Sequence, residues 1–385
     1  MLTDGVPLID HHCHGVVAGD LDRPGFESLL TEADSAQPDR SPFDSMLGTA
    51  VLRWCAPMLD LAPLPTVDRY LERRAELGWW EVSRRLLRGT GVEARLVDTG
   101  YGCAPTRAAG PVPCTDLDQL AVLGDSPARE IIRLESLAES VAAHGIDGST
   151  FPVAVRDLVR ERALTAVGLK SVIAYRTGLG IPGLAPSTVD VIDAARSWLR
   201  GGGGRLADPV LLAWLVHLGA RIGAEFGLPL QLHTGFGDPD IRLHLADPSL
   251  LTDFLTATRD TGVTVMLLHC WPFQRAAGYL TQVFPHVLAD VGLAVPHVGA
   301  RAGTIIAELL ELAPFSGVCF STDGCGLPEL HYLGALLWRH GLGRLVDRWL
   351  DEDVMSPVEA ERLVSAFAFG NAERVYRRLS PGGNR

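Results

Sequence analysis

The sequence predicts an α/β fold, a single (β/α)8 barrel, on three observations. Short runs rich in Val, Ile and Leu alternate with amphipathic stretches of helical length, the pattern of βα units around a parallel sheet. Eight such runs occur, the number a closed barrel requires. Their polar residues gather at the C-terminal ends, where barrel enzymes carry their reacting groups.

In chain order the expected strands are 6–12, 94–99, 130–136 and 167–175, then 228–234, 263–270, 286–291 and 317–323. Between the first two lie about eighty residues, far more than a βα connection needs. Residues 16–92 are therefore read as a helical insertion that caps the strand ends, with Thr66 and Asp68 near a helix start. The run Gly201–Gly204 separates two amphipathic stretches and reads as a flexible turn, since it lacks the Lys-Ser/Thr ending of a phosphate loop. Past Asp351 the chain reads as terminal helices and a frayed tail. Residues 1–385 are expected to form one domain.

Forty-six acidic against thirty-four basic side chains give a formal charge of −12, which repels nucleic acid and anionic lipid. The opening MLTDGVPLID has no export-signal pattern, and no apolar run reads as long enough to span a bilayer. A cytoplasmic location follows as an expectation, with a small-molecule substrate as partner, neither nucleic acid nor membrane, and homo-oligomer formation open. Seven cysteines without CxxC pairs are read as free thiols; Cys13, Cys270 and Cys325 lie beside proposed metal residues and are alternatively soft ligands.

The first strand ends in Asp10-His11-His12-Cys13-His14. In an extended segment His12 and His14 face the same side, so two imidazoles can reach one ion. An isolated HxH is weak evidence, but His233, His269 and Asp323 close three other apolar strands at the same end of the barrel. Neutral imidazoles with a carboxylate suit Zn2+, or Mn2+ and Fe2+ with more oxygen donors. A cation there would bring the pKa of water toward about 7, with Asp323 as proton acceptor. His269 would stabilise charge on a substrate carbonyl or serve as a further ligand. Lys170 closes the fourth strand in an apolar context. It reads as a carbamylated ligand bridging two metals, as a group orienting a substrate carboxylate, or as a snorkelling strand-end lysine. Arg176 is a second candidate anion anchor. Glu135 and Asp290, acids in apolar strands, support the site, Glu135 as a candidate substrate contact beside Arg176, or pair internally with Arg133 or another barrel residue.

The segments IDHHCH, GLKSVIAYRTGL, LQLHTGFGD, LLHCWPF, VCFSTDGCGLPELHYLGA and GNAERVY resemble the amidohydrolase superfamily, in its amidohydrolase-2 group. Within that group the chain is most similar to the amidohydrolase unit of FluG-type and nodulin-type fusions with a glutamine-synthetase-like domain. The resemblance implies a distorted (β/α)8 TIM barrel holding one or two divalent ions on His12, His14, His233 and Asp323. His269 matches a position that is a ligand or a catalytic group in different members, and Lys170 the place of the bridging lysine. The implied activity is hydrolysis of an amide, or another C–N or ester bond, by metal-activated water. The alternative is a metal-dependent non-oxidative decarboxylase, with Lys170 and Arg176 gripping a carboxylate.

Overall fold

The structure, a computed structural model, describes residues 1–34, 39–102 and 113–376. Seven parallel strands stand in sequential order: β1 (Leu8–Cys13), β2 (Val92–Asp98), β3 (Ala128–Arg133), β4 (Gly168–Ser171), β5 (Leu230–His233), β6 (Val265–Leu268) and β7 (Val287–Ala289). The eighth expected strand is too irregular for a ladder, yet its backbone bonds to both neighbours. Cys319 N donates to Ala289 O at 3.1 Å, His11 N to Phe320 O at 3.2 Å and Asp323 N to His12 O at 3.0 Å. Residues 318–323 thus lie between β7 and β1, and the sheet closes as a distorted barrel.

The interior is layered. At the N-terminal ends of the strands, Ile9, Leu96, Ile131, Met266 and Leu288 pack with Ala372 and Val375 of helix Asn371–Val375 and with Tyr376, which follows it. Above them come buried polar groups, His11, Gln231 and Asp290, and at the C-terminal ends the histidines. The outer helices cover the other strand face. Pro209–Phe226 has the length and composition to cross a membrane, against the expectation that no such run exists, but 67% of it is buried inside the protein. It is a core helix.

The long β1–β2 connection divides in two. Helix Val67–Arg88, capped by Thr66 Oγ1 on Arg69 N, packs against Leu117–Gly124 and Pro328–Asp351. It is the first helix of the outer ring, not a lid. Strand β2 also begins at Val92, so the insertion stops one residue short of the expected limit. In the earlier part, helix Met46–Ala50 packs on Ala294–Val298, in the connection after β7. At the Gly201–Gly204 turn, Gly202, Gly203 and Gly204 all have positive φ (95°, 65° and 82°), which side-chain-bearing residues rarely adopt in succession.

Two further expectations change. Strand β3 ends at Arg133, and Glu135 lies in the first turn of helix Leu134–Ala143. Cys114 is disulfide-bonded, so the cysteines are not all free thiols; Cys13, Cys55, Cys270, Cys319 and Cys325 are free, and Cys103 lies outside the described residues.

Candidate metal centre

β1 carries a register irregularity between Asp10 and Cys13. Such a bulge breaks strict alternation. His11 and His12 therefore both turn inward, while Asp10 turns away to accept from Thr322 N at 2.9 Å. Cys13 is fully buried, with its Sγ 3.7 Å from Leu96 O, and it groups with Asp10 and His331 rather than with His12, His14 and Asp323. Burial pushes its thiol well above the ordinary value.

His12 Nε2 lies 3.0 Å and His14 Nε2 3.4 Å from Asp323 Oδ1, and His269 Nε2 lies 3.5 Å from Asp323 Oδ2. His233 stands beside His269, ring centroids 4.7 Å apart. Lys170 Nζ, fully enclosed, donates to His12 Nε2 at 3.3 Å. His12, His14, His233, His269, Lys170 and Asp323 are thus brought to one point. The backbone is bent to do it. Among the described residues only seven other than glycine have positive φ, and His269 (72°), Cys270 (56°) and Asp323 (48°) are three of them.

The proton positions decide what this cluster can hold. His12 Nδ1 is 2.8 Å from Gln231 Oε1 and His14 Nδ1 is 3.2 Å from the Asp98 carbonyl oxygen. Both partners only accept, so each ring carries its proton on Nδ1 and turns an Nε2 lone pair toward Asp323. Burial lowers the His12 pKa to about 3 and that of His269 to about 4, so both stay neutral. Burial also pushes Asp323 up, but His269, His12 and His14 hold it well below the usual carboxylate range. Asp323 Oδ1 and both His269 ring nitrogens are buried with no hydrogen bond. The Lys170 ammonium answers only the His12 lone pair; the electron-rich atoms that remain face one another in a dry site, which is costly unless a further cation lies among them. His12, His269 and Asp323 offer atoms within 4.8 Å of one another. His233 donates Nε2 to Phe236 O at 3.0 Å, which leaves Nδ1 as its free nitrogen. This donor set fits a divalent transition metal.

Supporting groups surround the cluster. Asp290 Oδ1 accepts from His269 N at 2.8 Å, its Oδ2 lies 2.9 Å from His11 Nε2, and its pKa is about 2: burial pushes it up, but His11 and His269 pull it down. Arg133 binds Asp98 Oδ2 through Nη2 (2.6 Å) and Nε (3.0 Å) and stacks over Tyr101, which lies against His14. Although burial opposes it, this guanidinium holds Asp98 below the usual carboxylate range. Burial lowers Lys170 to about 8, against the upward pull of Asp98 and Asp323. A cavity of about 260 Å³ beside the mouth is lined by Glu32, Leu47, Phe236 and His297. Burial, then Asp323 and Asp238, raise Glu32 to about 7.

Two expected substrate residues are placed otherwise. Arg176 Nη1 is spent on Glu139 Oε1 (3.2 Å) and Leu206 O (2.9 Å). Glu135 Oε1 accepts from Ser171 Oγ (2.6 Å) and Val172 N (3.0 Å), tying the helix after β3 to the end of β4. Neither joins the cluster, and Glu135 does not pair with Arg133, which is taken by Asp98. Arg176→Gln is accordingly expected to lower stability by about 1–2 kcal/mol while leaving metal content at the wild-type level. Denaturation curves and metal analysis check this; a variant purified without metal would return Arg176 to the site.

Asp98, Gln231 and Tyr101 were not read as site residues from the sequence, and Arg133 only as an internal pairing partner. Asp98 and Arg133 close β2 and β3, so the strand-end rule applied to His233 would have found them. Gln231 was visible as a polar residue inside apolar β5. Nothing in the local pattern marks Glu32 or His297, which come from the insertion and a loop.

A parallel barrel with such a cluster at its strand ends belongs to the class of metal-dependent amidohydrolase-superfamily barrels. The chain is a member of the amidohydrolase-2 family, whose family model, described as Amidohydrolase, matches residues 133–378. Protein fluG of Emericella nidulans is 31% identical over 283 residues, 65% of this chain and 32% of that protein. The chain thus spans about a third of that relative's length. A Lactobacillus casei protein, provisionally described as a metal-dependent hydrolase, superposes with a TM-score of 0.86 at 28% identity, over 98% of this chain and 96% of its own. A uronate isomerase from Thermotoga maritima superposes with a TM-score of 0.64 at 13% identity, covering 97% and 96%, a likeness of fold alone.

Proposed function

We propose that the protein is a metal-dependent hydrolase that cleaves an amide, or a related C–N or ester bond, of a small molecule. The observation that carries this reading is the convergence of the His12 and His14 Nε2 lone pairs on Asp323 Oδ1, 3.0 and 3.4 Å away. His12, His14, His233 and Asp323 would hold the ion, Zn2+ by preference and Mn2+ or Fe2+ as alternatives. A cation held there supplies Lewis acidity, lowering the pKa of water toward about 7 and polarising a carbonyl oxygen. Asp323 takes the proton of the attacking water and returns it to the leaving amine or alkoxide. His269, whose backbone N–H is anchored on Asp290, hydrogen-bonds the carbonyl oxygen as negative charge grows there. Lys170 decides the number of ions. As the ammonium it would attract negative charge beside His12; as a carbamate it would help to hold a second metal.

A decarboxylase reading loses support because Arg176, one of its two carboxylate anchors, is engaged by Glu139. Metal analysis after purification with Zn2+ or Mn2+ should find one or two ions per chain. Simple N-acyl amides and aryl esters are then tested for released amine or alcohol, and small carboxylic acids for released CO2. Amine or alcohol release supports the hydrolase; CO2 release without either would remove it.

A further inference from the structure

We infer that Tyr376 is a positioning residue whose hydroxyl sets the His11 proton beneath the histidine cluster and completes the hydrogen bonds of Gln231, which holds His12. The inference rests on the metal-centre reading above and extends it to the closing GNAERVY segment, which the proposed chemistry does not use.

Gln231 Nε2 lies 2.8 Å from His11 O and 2.8 Å from Tyr376 Oη. A backbone carbonyl can only accept, so the amide cannot be turned the other way. Its Oε1 therefore faces His12 Nδ1, and that nitrogen must carry the proton. Tyr376 Oη, having accepted from Gln231, gives its own proton to His11 Nδ1, 3.0 Å away. His11 is left protonated on Nε2, which lies at ion-pair distance from Asp290 Oδ2, 2.9 Å, without a well-aligned hydrogen bond. The other oxygen of Asp290 accepts from His269 N and Gly292 N, both at 2.8 Å. The His11 carbonyl thus orients Gln231 and, through it, His12, while the phenol completes the Gln231 amide and directs the His11 proton toward Asp290, which anchors His269. Tyr376, Gln231, His11 and Asp290 are all 0% exposed, so bulk water cannot take the place of a missing partner.

The chain holds the phenol in place from below. Asn371 Nδ2 donates to Phe315 O (2.7 Å) and Val318 O (2.8 Å), pinning the last helix under the eighth strand segment. Gly168 leaves room for the ring: a Cβ there would meet Tyr376 Cε1 at 3.4 Å and Ile131 Cδ1 at 2.7 Å.

Two measurements on the full chain test this. In protein stripped of metal and labelled with 15N-histidine, long-range 1H–15N correlation spectra should show His12 protonated on Nδ1 and His11 on Nε2. His12 protonated on Nε2 would overturn the inference with no variant needed. Tyr376→Phe keeps the ring and removes only the hydroxyl. It should abolish the single tautomer of His11 and weaken Zn2+ binding, read by chelator competition, roughly 10–100-fold. Val375→Ala, in the same packed layer, should keep both tautomers and bind Zn2+ within about twofold of wild type, since it removes no hydrogen bond. Equal losses in the two variants would make Tyr376 merely structural, and wild-type tautomers with wild-type affinity in Tyr376→Phe would also refute the inference. A wild-type chain without Zn2+ affinity defeats the metal reading, and the tautomer spectra then decide this one alone.

Discussion

Asp323→Asn is expected to lower kcat by about 10²–10⁴-fold, the range for losing a positioned proton-transfer group, and to deplete bound metal in the same preparation. Asparagine keeps the size of the side chain and its place at the end of the eighth strand segment. It loses the negative charge and the basicity. Its amide N–H can also satisfy the lone pairs of His12 and His14 that lie 3.0 and 3.4 Å from Oδ1, and that satisfaction removes the reason for a cation to enter. Metal analysis and single-turnover rates on the amide or ester that the wild type cleaves measure the two effects separately. Wild-type turnover in the variant, with metal retained, would show that Asp323 neither holds the ion nor moves the proton.

The fold was legible because burial repeats with the period of the element. Strands such as LQLH and VMLL are apolar on the face that meets the outer helices, and their ends carry the polar exceptions. The same rule gathered His12, His14, His233, His269, Lys170 and Asp323, which the structure brings to one place. It failed where backbone direction departs from an ideal strand. The bulge in β1 turns His11 inward next to His12, which a period of two does not allow. Chain reversal after β4 turns Arg176 onto Glu139, although it follows Lys170 by only six positions. Glu135 was assigned to a strand, but a helix begins at Leu134 and swings its carboxylate onto Ser171 and Val172. Helix Val67–Arg88 shows the limit of another kind: amphipathic spacing finds the helix, and only its partners tell a ring helix from a cap.

Those partners give the largest expected effect on stability. Arg74, from helix Val67–Arg88, donates Nε to Glu329 Oε1 at 2.9 Å, and Tyr70 Oη donates to the same oxygen at 2.9 Å. The Glu329 side chain is 0% exposed and Arg74 only 6%, so the pair has almost no water to screen it. Arg74→Met fills similar volume but leaves a buried carboxylate held by one phenol. A cost of about 3–5 kcal/mol is expected, as for other buried pairs broken on one side, read as a lowered denaturation midpoint. Arg74→Met combined with Glu329→Leu should recover most of it, because no uncompensated charge then remains. A single variant within about 1 kcal/mol of wild type would mean the pair behaves as an exposed one. The loss should reach the metal centre as well. Glu329 stands in the first turn of helix Pro328–Asp351, six residues beyond Asp323, and His331 of that turn packs against Gly324. Loosening the helix start therefore frees the backbone that holds Asp323 at its positive φ, and Arg74→Met should bind metal more weakly even where it remains folded.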